Sequence, residues 1–326
     1  MKRMKVMNLA VIFTGGTIGS RTGTDGWIAP NKEQPYAILE QYRKEYENKA
    51  KEIGFDCVMP YQILSENLNA EHLMLLIDTI QEKVQKNRYD GIIVCHGTDT
   101  LQYTAAILDY VFADITIPLF LVSSNYPLED TRANGLANFY YAVESVPKKL
   151  RGVFAVYQNS DGKTYIHRGS RMLAHQTFED NLFSIHHRFA GCYDEHGTWI
   201  EGEGLAEKPE KVPYHGLASV TDSILWLRAY PGMAYPELSS AVKAIVLESY
   251  HSGTIAINSE LERLAEMAKR QETPIYLVGA VSSSSGYETK QNYARLGIHV
   301  LENQTPIGVY CRLWLEMSAW ETESQE

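Results

Sequence analysis

Gly91-Ile92-Ile93-Val94-Cys95-His96-Gly97-Thr98-Asp99-Thr100 passes from an unbroken apolar run straight into a polar cluster. Ile92 through Cys95 carry no polar alternation, so residues 91–95 are expected as a strand buried on both faces. Asp99 and Thr100 both suit the first position of a helix, which then runs to about Phe112. A doubly buried strand that opens into a helix is the repeating unit of a parallel sheet.

The alternation continues on both sides. Residues 7–14 read as a strand that ends at Gly15-Gly16. Residues 33–53 read as a helix, with Tyr36, Leu39, Tyr42 and Tyr46 at three- and four-residue steps, and 70–86 as a second, with Leu73, Leu76, Ile77, Ile80 and Val84 on one face. A strand at 118–123, a helix at 131–145 and a strand at 152–157 follow. Asn159-Ser160-Asp161-Gly162 is a hairpin signal, which gives a return strand at 163–167. From about Ala190 the pattern fades into Gly, Pro and charge. Strands at 220–229, 244–248 and 275–278, a helix at 259–270 capped by Asn258 or Ser259, and a closing helix at 306–319 then complete the chain. Residues 321–326 are expected to fray. The fold class is α/β: a mostly parallel sheet flanked by helices in a larger N-terminal domain (1–195), a linker (196–219), and a smaller C-terminal α/β domain (220–326).

Composition narrows the function. The 326 residues include 30 Lys plus Arg and 40 Asp plus Glu, a formal charge of −10, with 44% apolar and 21% charged residues. That balance excludes collagen, low-complexity and disulfide-rich classes. The negative charge and the absence of a dense Lys/Arg run argue against a nucleic-acid partner. Cys57, Cys95, Cys192 and Cys311 are scattered without ligand spacing and read as free thiols of a reducing compartment. The N-terminal apolar run is cut by Gly15-Gly16 and lacks a small-residue cleavage site, so it reads as a buried strand rather than a signal peptide. No apolar stretch approaches the roughly 20 residues needed to span a bilayer. A cytoplasmic protein without a membrane partner is expected.

Ligands of open α/β sheets bind beyond the carboxyl ends of strands. Four polar clusters fall at such places: Thr14-Gly15-Gly16-Thr17, Ser65-Glu66-Asn67, His96-Gly97-Thr98-Asp99-Thr100 and Ser123-Ser124-Asn125. Each alone has an ordinary reading as a turn or a helix cap. No Gly-Lys-Ser/Thr follows the first, so it is not a phosphate loop. After His96-Gly97, three polar residues in a row exceed what one cap requires. Together the four would line one crevice.

Phe13-Thr14-Gly15-Gly16-Thr17-Ile18 and His96-Gly97-Thr98-Asp99-Thr100, in this order and about 80 residues apart, resemble the bacterial-type L-asparaginases. The pieces SENL, PLFLVSSNYPLEDTRANGLANF and GVYCRLWLEM match further, and the pattern is most like the cytoplasmic type I branch. The resemblance implies a catalytic set of Thr17, Thr98 and Asp99, with Thr17 as the nucleophile that forms an acyl-enzyme. It implies that Ser65 and Glu66 grip the substrate head group, and that Gly16 and Gly97 line the site. The oxyanion donors would be the backbone N–H groups at Thr98 and Ser124. It further implies a small-molecule amide substrate, L-asparagine or a relative, hydrolysed to the acid and ammonia. No metal and no organic cofactor is expected, and the chain is expected as a homodimer or homotetramer.

The sequence departs from that pattern in three places. The family lysine that would complete a Thr-Asp-Lys relay falls at Ala174, counted forward from Arg168-Gly169 and back from Phe183. A methyl group transfers no proton. Arg171 stays charged at physiological pH, and Lys163 sits beside the hairpin turn. His175, adjacent to that position, has an ordinary pKa near neutrality. Trp27 stands where the family has a lid tyrosine, and an indole offers one N–H and no base. Ser123-Ser124-Asn125 replaces Gly-Ser-Gln. The competing expectations are therefore an amidohydrolase acting on asparagine or another small amide, and a catalytically impaired amino-acid-binding homologue. A component of the tRNA-dependent amidotransferases is a third. It is disfavoured because that type carries an extra N-terminal domain, whereas the first strand here begins within ten residues.

Overall fold

The computed structural model describes residues 6–218, 222–280 and 288–323, which fall into two units that divide between Lys211 and Val212. The first unit opens with β1 (Met7–Phe13), then a short antiparallel hairpin of β2 (Ser20–Thr22) and β3 (Ile28–Pro30). Helices α1 (Ala37–Glu45) and α2 (Glu47–Ala50) lead to β4 (Ile53–Val58). Next come α3 (Ala70–Gln85), β5 (Gly91–Cys95), α4 (Leu101–Val111), β6 (Pro118–Val122) and α5 (Gly135–Ser145). Four strands close the unit: β7 (Gly152–Gln158), β8 (Thr164–Arg168), β9 (Gly191–Tyr193) and β10 (Trp199–Glu201).

The main sheet has the order β10-β9-β8-β7-β6-β5-β1-β4. β4, β1, β5, β6 and β7 run parallel, and β8, β9 and β10 return antiparallel. From β1 the chain goes to β4 on one side, then comes back to β5 on the other. Strand order thus reverses at β1, and connections leaving such a point on opposite faces open a crevice beyond the carboxyl ends of the strands.

Alternate residues of the central strands build the core. Val11, Phe13, Ile93, Cys95, Phe120, Val122, Phe154 and Val156 pack with Leu39 and Tyr42 of α1 and Phe139 and Val143 of α5. α4 is buried along nearly its whole length and packs against β7 and the 3-10 turn Gly169–Arg171. It carries Asp109 into this interior, where Arg168 meets it at 3.2 Å and both side chains are nearly fully buried. The Ser170 N–H and hydroxyl donate to the other carboxylate oxygen at 3.0 and 2.7 Å. Burial pushes the Asp109 carboxyl upward in pKa, and Arg168 and the Ser170 donors oppose that push.

Several elements differ from the sequence reading. The helix expected over 33–53 stops at Tyr46, which leaves helical geometry (φ −118°, ψ 45°) and stacks on Tyr140 of α5 at 4.3 Å. Its last residue begins β4, an unforeseen strand. β4 lies at the sheet edge, half-buried throughout, and Gly54 and Asp56 interrupt its apolar pattern. Asp56 accepts from Lys83 (3.2 Å), Arg88 (2.8 Å) and Tyr89, and these donors, the Tyr89 hydroxyl first, pull its carboxyl down to about 2. The stretch read as fading coil from Ala190 holds β9 and β10. At three residues each, they are too short to show periodicity. Residues 196–219, assigned to a linker, are split between the two units.

The second unit is a parallel sheet, β11-β12-β13-β14. It comprises β11 (Ile224–Arg228), β12 (Ala244–Glu248), α6 (Ser259–Arg270), β13 (Ile275–Ala280), α7 (Thr289–Arg295), β14 (Ile298–Glu302) and α8 (Pro306–Glu323). Ile245, Leu247 and Leu277 pack against α6 and α7, while Ala244, Val246 and Val278 pack against α8. Asn258 is the α6 cap, accepting from the Leu261 N–H at 3.0 Å. α7 and β14 went unread because both are short. The fraying expected over 321–326 is replaced by helix up to Glu323; its last three residues lie outside those described, as do residues 219–221 beside the strand expected at 220. Among the described residues no helix is long and apolar enough to cross a membrane.

Breaking the Asp109–Arg168 pair from one side leaves a buried charge without its partner. Asp109→Ala is expected to destabilise the first unit by about 3–5 kcal/mol. The double change Asp109→Leu with Arg168→Met should be milder than the single one. Denaturant midpoints of the three proteins check both expectations.

Candidate active site

Three loops meet where strand order reverses. After β1, Thr14 donates its hydroxyl to the Cys95 carbonyl at 2.9 Å, which ties the end of β1 to the end of β5. Gly15 then bridges to Ile63, the Ile63 N–H donates to the Thr14 carbonyl at 3.1 Å, and the Gly16 N–H donates to the Ile63 carbonyl at 2.8 Å. The segment after β4 is thereby brought in as a third wall. Gly16 (φ 74°) lies so close to Gly97 that a Cβ on Gly16 would sit 2.2 Å from the Gly97 Cα. A Cβ on Gly97 would sit 2.4 Å from the Ser65 Oγ. Only glycine permits this approach, and Gly16 also needs the left-handed conformation.

The two glycines immediately precede Thr17 and Thr98. Thr17 begins the 3-10 turn Thr17–Gly19, which the Gly19 N–H and the Ser20 hydroxyl close onto the Gly16 carbonyl at 3.0 and 2.7 Å. Thr17 and Thr98 are half-buried, and neither hydroxyl has a hydrogen-bond partner among the described residues. Ser65 is buried and approaches the Asp99 carboxylate at 3.4 Å, while Asp99 and Glu66 are exposed. Thr100 is the first flanking residue of α4, yet its side chain does not cap the helix. Its hydroxyl donates to the Ser65 carbonyl at 3.0 Å, and Gln102 donates to the Asp99 carbonyl at 3.0 Å. The expected cap role falls to neither side chain, Asp99 nor Thr100, and the exposed Asp99 carboxylate accepts from Ser65 instead.

The loop after β6 is stitched by amides. Asn138 donates to the Ser123 carbonyl at 2.8 Å and accepts from the Gln158 N–H at 2.6 Å, while Asn125 and Asn134 exchange two bonds of 3.0 Å each. Ser124 is fully buried, and its hydroxyl donates to the Tyr126 carbonyl at 2.6 Å. Its backbone N–H has no hydrogen-bond partner among the described residues.

The departures lie around this centre. Trp27 is 76% exposed on the turn between β2 and β3, and the Thr22 N–H ties that hairpin to Glu129 of the loop after β6 at 2.8 Å. Ala174 is exposed on the segment 172–184. His175 lies half-buried next to that position, with its ring edge-on to Tyr157 (5.9 Å, 78°) and its Nε2 buried without a hydrogen-bond partner among the described residues. Burial pushes the Tyr157 phenol up to about 12. Arg171 pairs with Glu207 at 2.7 Å, and Glu207 also takes Arg188 at 2.8 Å.

Two buried residues near the loops carried no assignment from sequence. Tyr61 brings its phenol beside Thr14 and against the His72 ring (4.8 Å), and burial pushes its pKa up. His96, 2% exposed, bonds Gly97 through Nδ1 (2.8 Å) and Thr104 through Nε2 (2.9 Å). Burial pushes His96 down to about 4. Its place in the polar cluster was the available signal; the partner Thr104, one turn into α4, was not visible without the fold.

Residues 8–198 match the family model described as "Asparaginase, N-terminal". The chain belongs to the asparaginase family. Among the curated relatives of this asparaginase-family chain, L-asparaginase 1 of Escherichia coli is 26% identical over 322 residues, with 90% of this chain and 87% of the relative aligned. A glutamyl-tRNA(Gln) amidotransferase component of Methanococcus maripaludis is 26% identical over 176 residues, which span 52% of this chain and 40% of the relative. The chain thus aligns with less than half the length of that amidotransferase component. L-asparaginase I from Vibrio cholerae shares the fold, with a TM-score of 0.74 at 19% identity over 96% of this chain and 93% of that one.

His96 and His167 are expected to make this chain's fold acid-sensitive. His167 is also fully buried, bonded to Ser184 at 2.8 Å, and pushed down to about 4. Between an unfolded value near 6.5 and a folded value near 4, only the unfolded chain takes up these protons. Stability should fall as pH drops through that window, by up to about 1.4 kcal/mol per pH unit for each histidine, and should level off above it. Denaturant midpoints at about pH 7.5 and about pH 5 check this, and His167→Gln should reduce the difference.

Proposed function

We propose that the protein hydrolyses a small side-chain amide, with L-asparagine as the leading substrate, to the acid and ammonia. One observation carries the reading: the glycines that precede Thr17 and Thr98 touch, with Ser65 against Gly97 and 3.4 Å from the Asp99 carboxylate. Thr17 Oγ attacks the amide carbon. The backbone N–H groups of Thr98 and Ser124 take the charge that develops on the carbonyl oxygen, where one such donor is worth roughly 10²–10³ in rate. Collapse breaks the C–N bond, the nitrogen takes up the proton given up by the Thr17 hydroxyl and leaves as ammonia, and the acyl group stays on Thr17 as an ester. Water then cleaves that ester and restores the hydroxyl. Asp99 with Glu66 and Ser65 grips the α-amino and α-carboxylate groups. Family resemblance also supports an assembly of identical copies and a cytoplasmic location.

A second reading, an amino-acid-binding homologue without turnover, draws on a separate observation. Ala174 supplies no base, Arg171 is held by Glu207, and His175 packs on Tyr157. A threonine hydroxyl near its free pKa needs a base to become a competent nucleophile.

Coupled ammonia release from L-asparagine separates the two. Release is expected, and Thr17→Ala should lower it by at least about 10³-fold. Release that survives in Thr17→Ala overturns the nucleophile assignment. No release from the wild-type protein, with L-aspartate at about 100 times its Kd stabilising it by about 2.7 kcal/mol, establishes the binding homologue.

A further inference from the structure

His96 is a buried titratable group that the steps above do not use. Its backbone N–H donates to the Val122 carbonyl at 2.8 Å, so the residue is anchored between β5 and β6. A carbonyl oxygen only accepts, so the 2.8 Å contact with the Gly97 oxygen puts the ring proton on Nδ1. Nε2 is then the acceptor, and the Thr104 hydroxyl donates to it at 2.9 Å. The Gly97 carbonyl therefore selects the tautomer, and Thr104, fully buried on α4, satisfies Nε2.

The peptide that joins Gly97 to Thr98 holds the Gly97 carbonyl at one end and the Thr98 N–H at the other. In a trans peptide these point in opposite directions. Drawing the carbonyl toward the buried ring turns the Thr98 N–H away from it, toward the crevice. That N–H has no hydrogen-bond partner among the described residues. Gly97 is also the residue least able to hold its own peptide plane, because it has no Cβ to restrict rotation. The glycine that lets the loops touch therefore requires an outside restraint on the peptide that follows it.

We propose that His96 is a positioning residue: its Nδ1–H holds the Gly97–Thr98 peptide so that the Thr98 N–H faces the reacting carbonyl oxygen, with Thr104 anchoring the far side of the ring through Nε2. This rests on the amidohydrolase reading for its kinetic consequence, but not for its geometry. Burial keeps the ring neutral across the physiological range, so the restraint does not switch with pH there.

The test compares His96→Phe, which keeps a ring and loses the donor, with His96→Asn, which restores a donor near Nδ1, and Thr104→Val, which is isosteric. In His96→Phe, kcat for ammonia release should fall by about 10²–10³-fold, the worth of one oxyanion donor, while KM and the Kd for L-aspartate stay within about threefold. His96→Asn should recover most of the loss, and Thr104→Val should lower kcat in the same sense. Nitrogen NMR of the wild-type ring should show the Nδ1–H tautomer, and the Thr98 amide resonance should move on addition of L-aspartate. An Nε2–H tautomer overturns the proposal. So does a folded His96→Phe protein with unchanged kcat, and so does a loss matched by an equal loss of aspartate affinity. If the wild-type protein releases no ammonia, the amidohydrolase reading fails separately. The two nitrogen measurements then decide the positioning role alone.

Discussion

The contact between Gly16 and Gly97 is the constraint on which the rest of the site depends. It joins the loop after β1 to the loop after β5 at the point where strand order reverses. A methyl group on either residue would overlap the opposite backbone or Ser65. Because both are glycine, the loops that carry Thr17 and Thr98 can come together from two strands. The bridge from Gly15 to Ile63 adds the third loop, and with it Ser65 and Glu66.

Close approach of bare backbones has a consequence: such loops hold their shape only if something behind them does. Here the support is polar and buried. Thr14 ties β1 to β5, His96 and Thr104 tie the next turn to α4, and Asn134 and Asn138 tie the end of β6 to the end of β7. Deeper in the unit, α4 is itself fixed by the Asp109–Arg168 pair and Ser170. A half-satisfied network of this kind would destabilise the interior, so its members stand or fall together.

Two of the three departures from the family pattern, Trp27 and Ala174, lie outside this supported centre; Ser123-Ser124-Asn125 lies within it. Trp27 and Ala174 both face solvent, one on a hairpin turn and one on the segment 172–184. Of the charges that might have replaced the lysine, Arg171 is engaged with Glu207, which also takes Arg188. Centre and rim can thus change independently, because the rim contributes little to the packing that holds the loops together.

Much of the fold was legible in the chain. Unbroken apolar runs such as Ile92–Val94, followed by capping residues, specify doubly buried strands and the helices after them, since both are local properties. The motifs around Thr17 and Thr98 were legible for the same reason. What local pattern does not carry is the edge. β4, β9 and β10 are short or half-buried, and their pairing comes from neighbours far along the chain. The bend at Tyr46 depends on a ring of α5. By itself the sequence determined the buried central strands, the glycines and the identity of the polar groups at the strand ends. Only the tertiary structure decided which of them meet: that Gly16 rests on Gly97, that Asp99 and Thr100 leave the helix cap to face Ser65, and that His96 turns inward to Thr104. These are contacts between loops on different strands, and a contact between loops depends on strand order, which no single segment encodes.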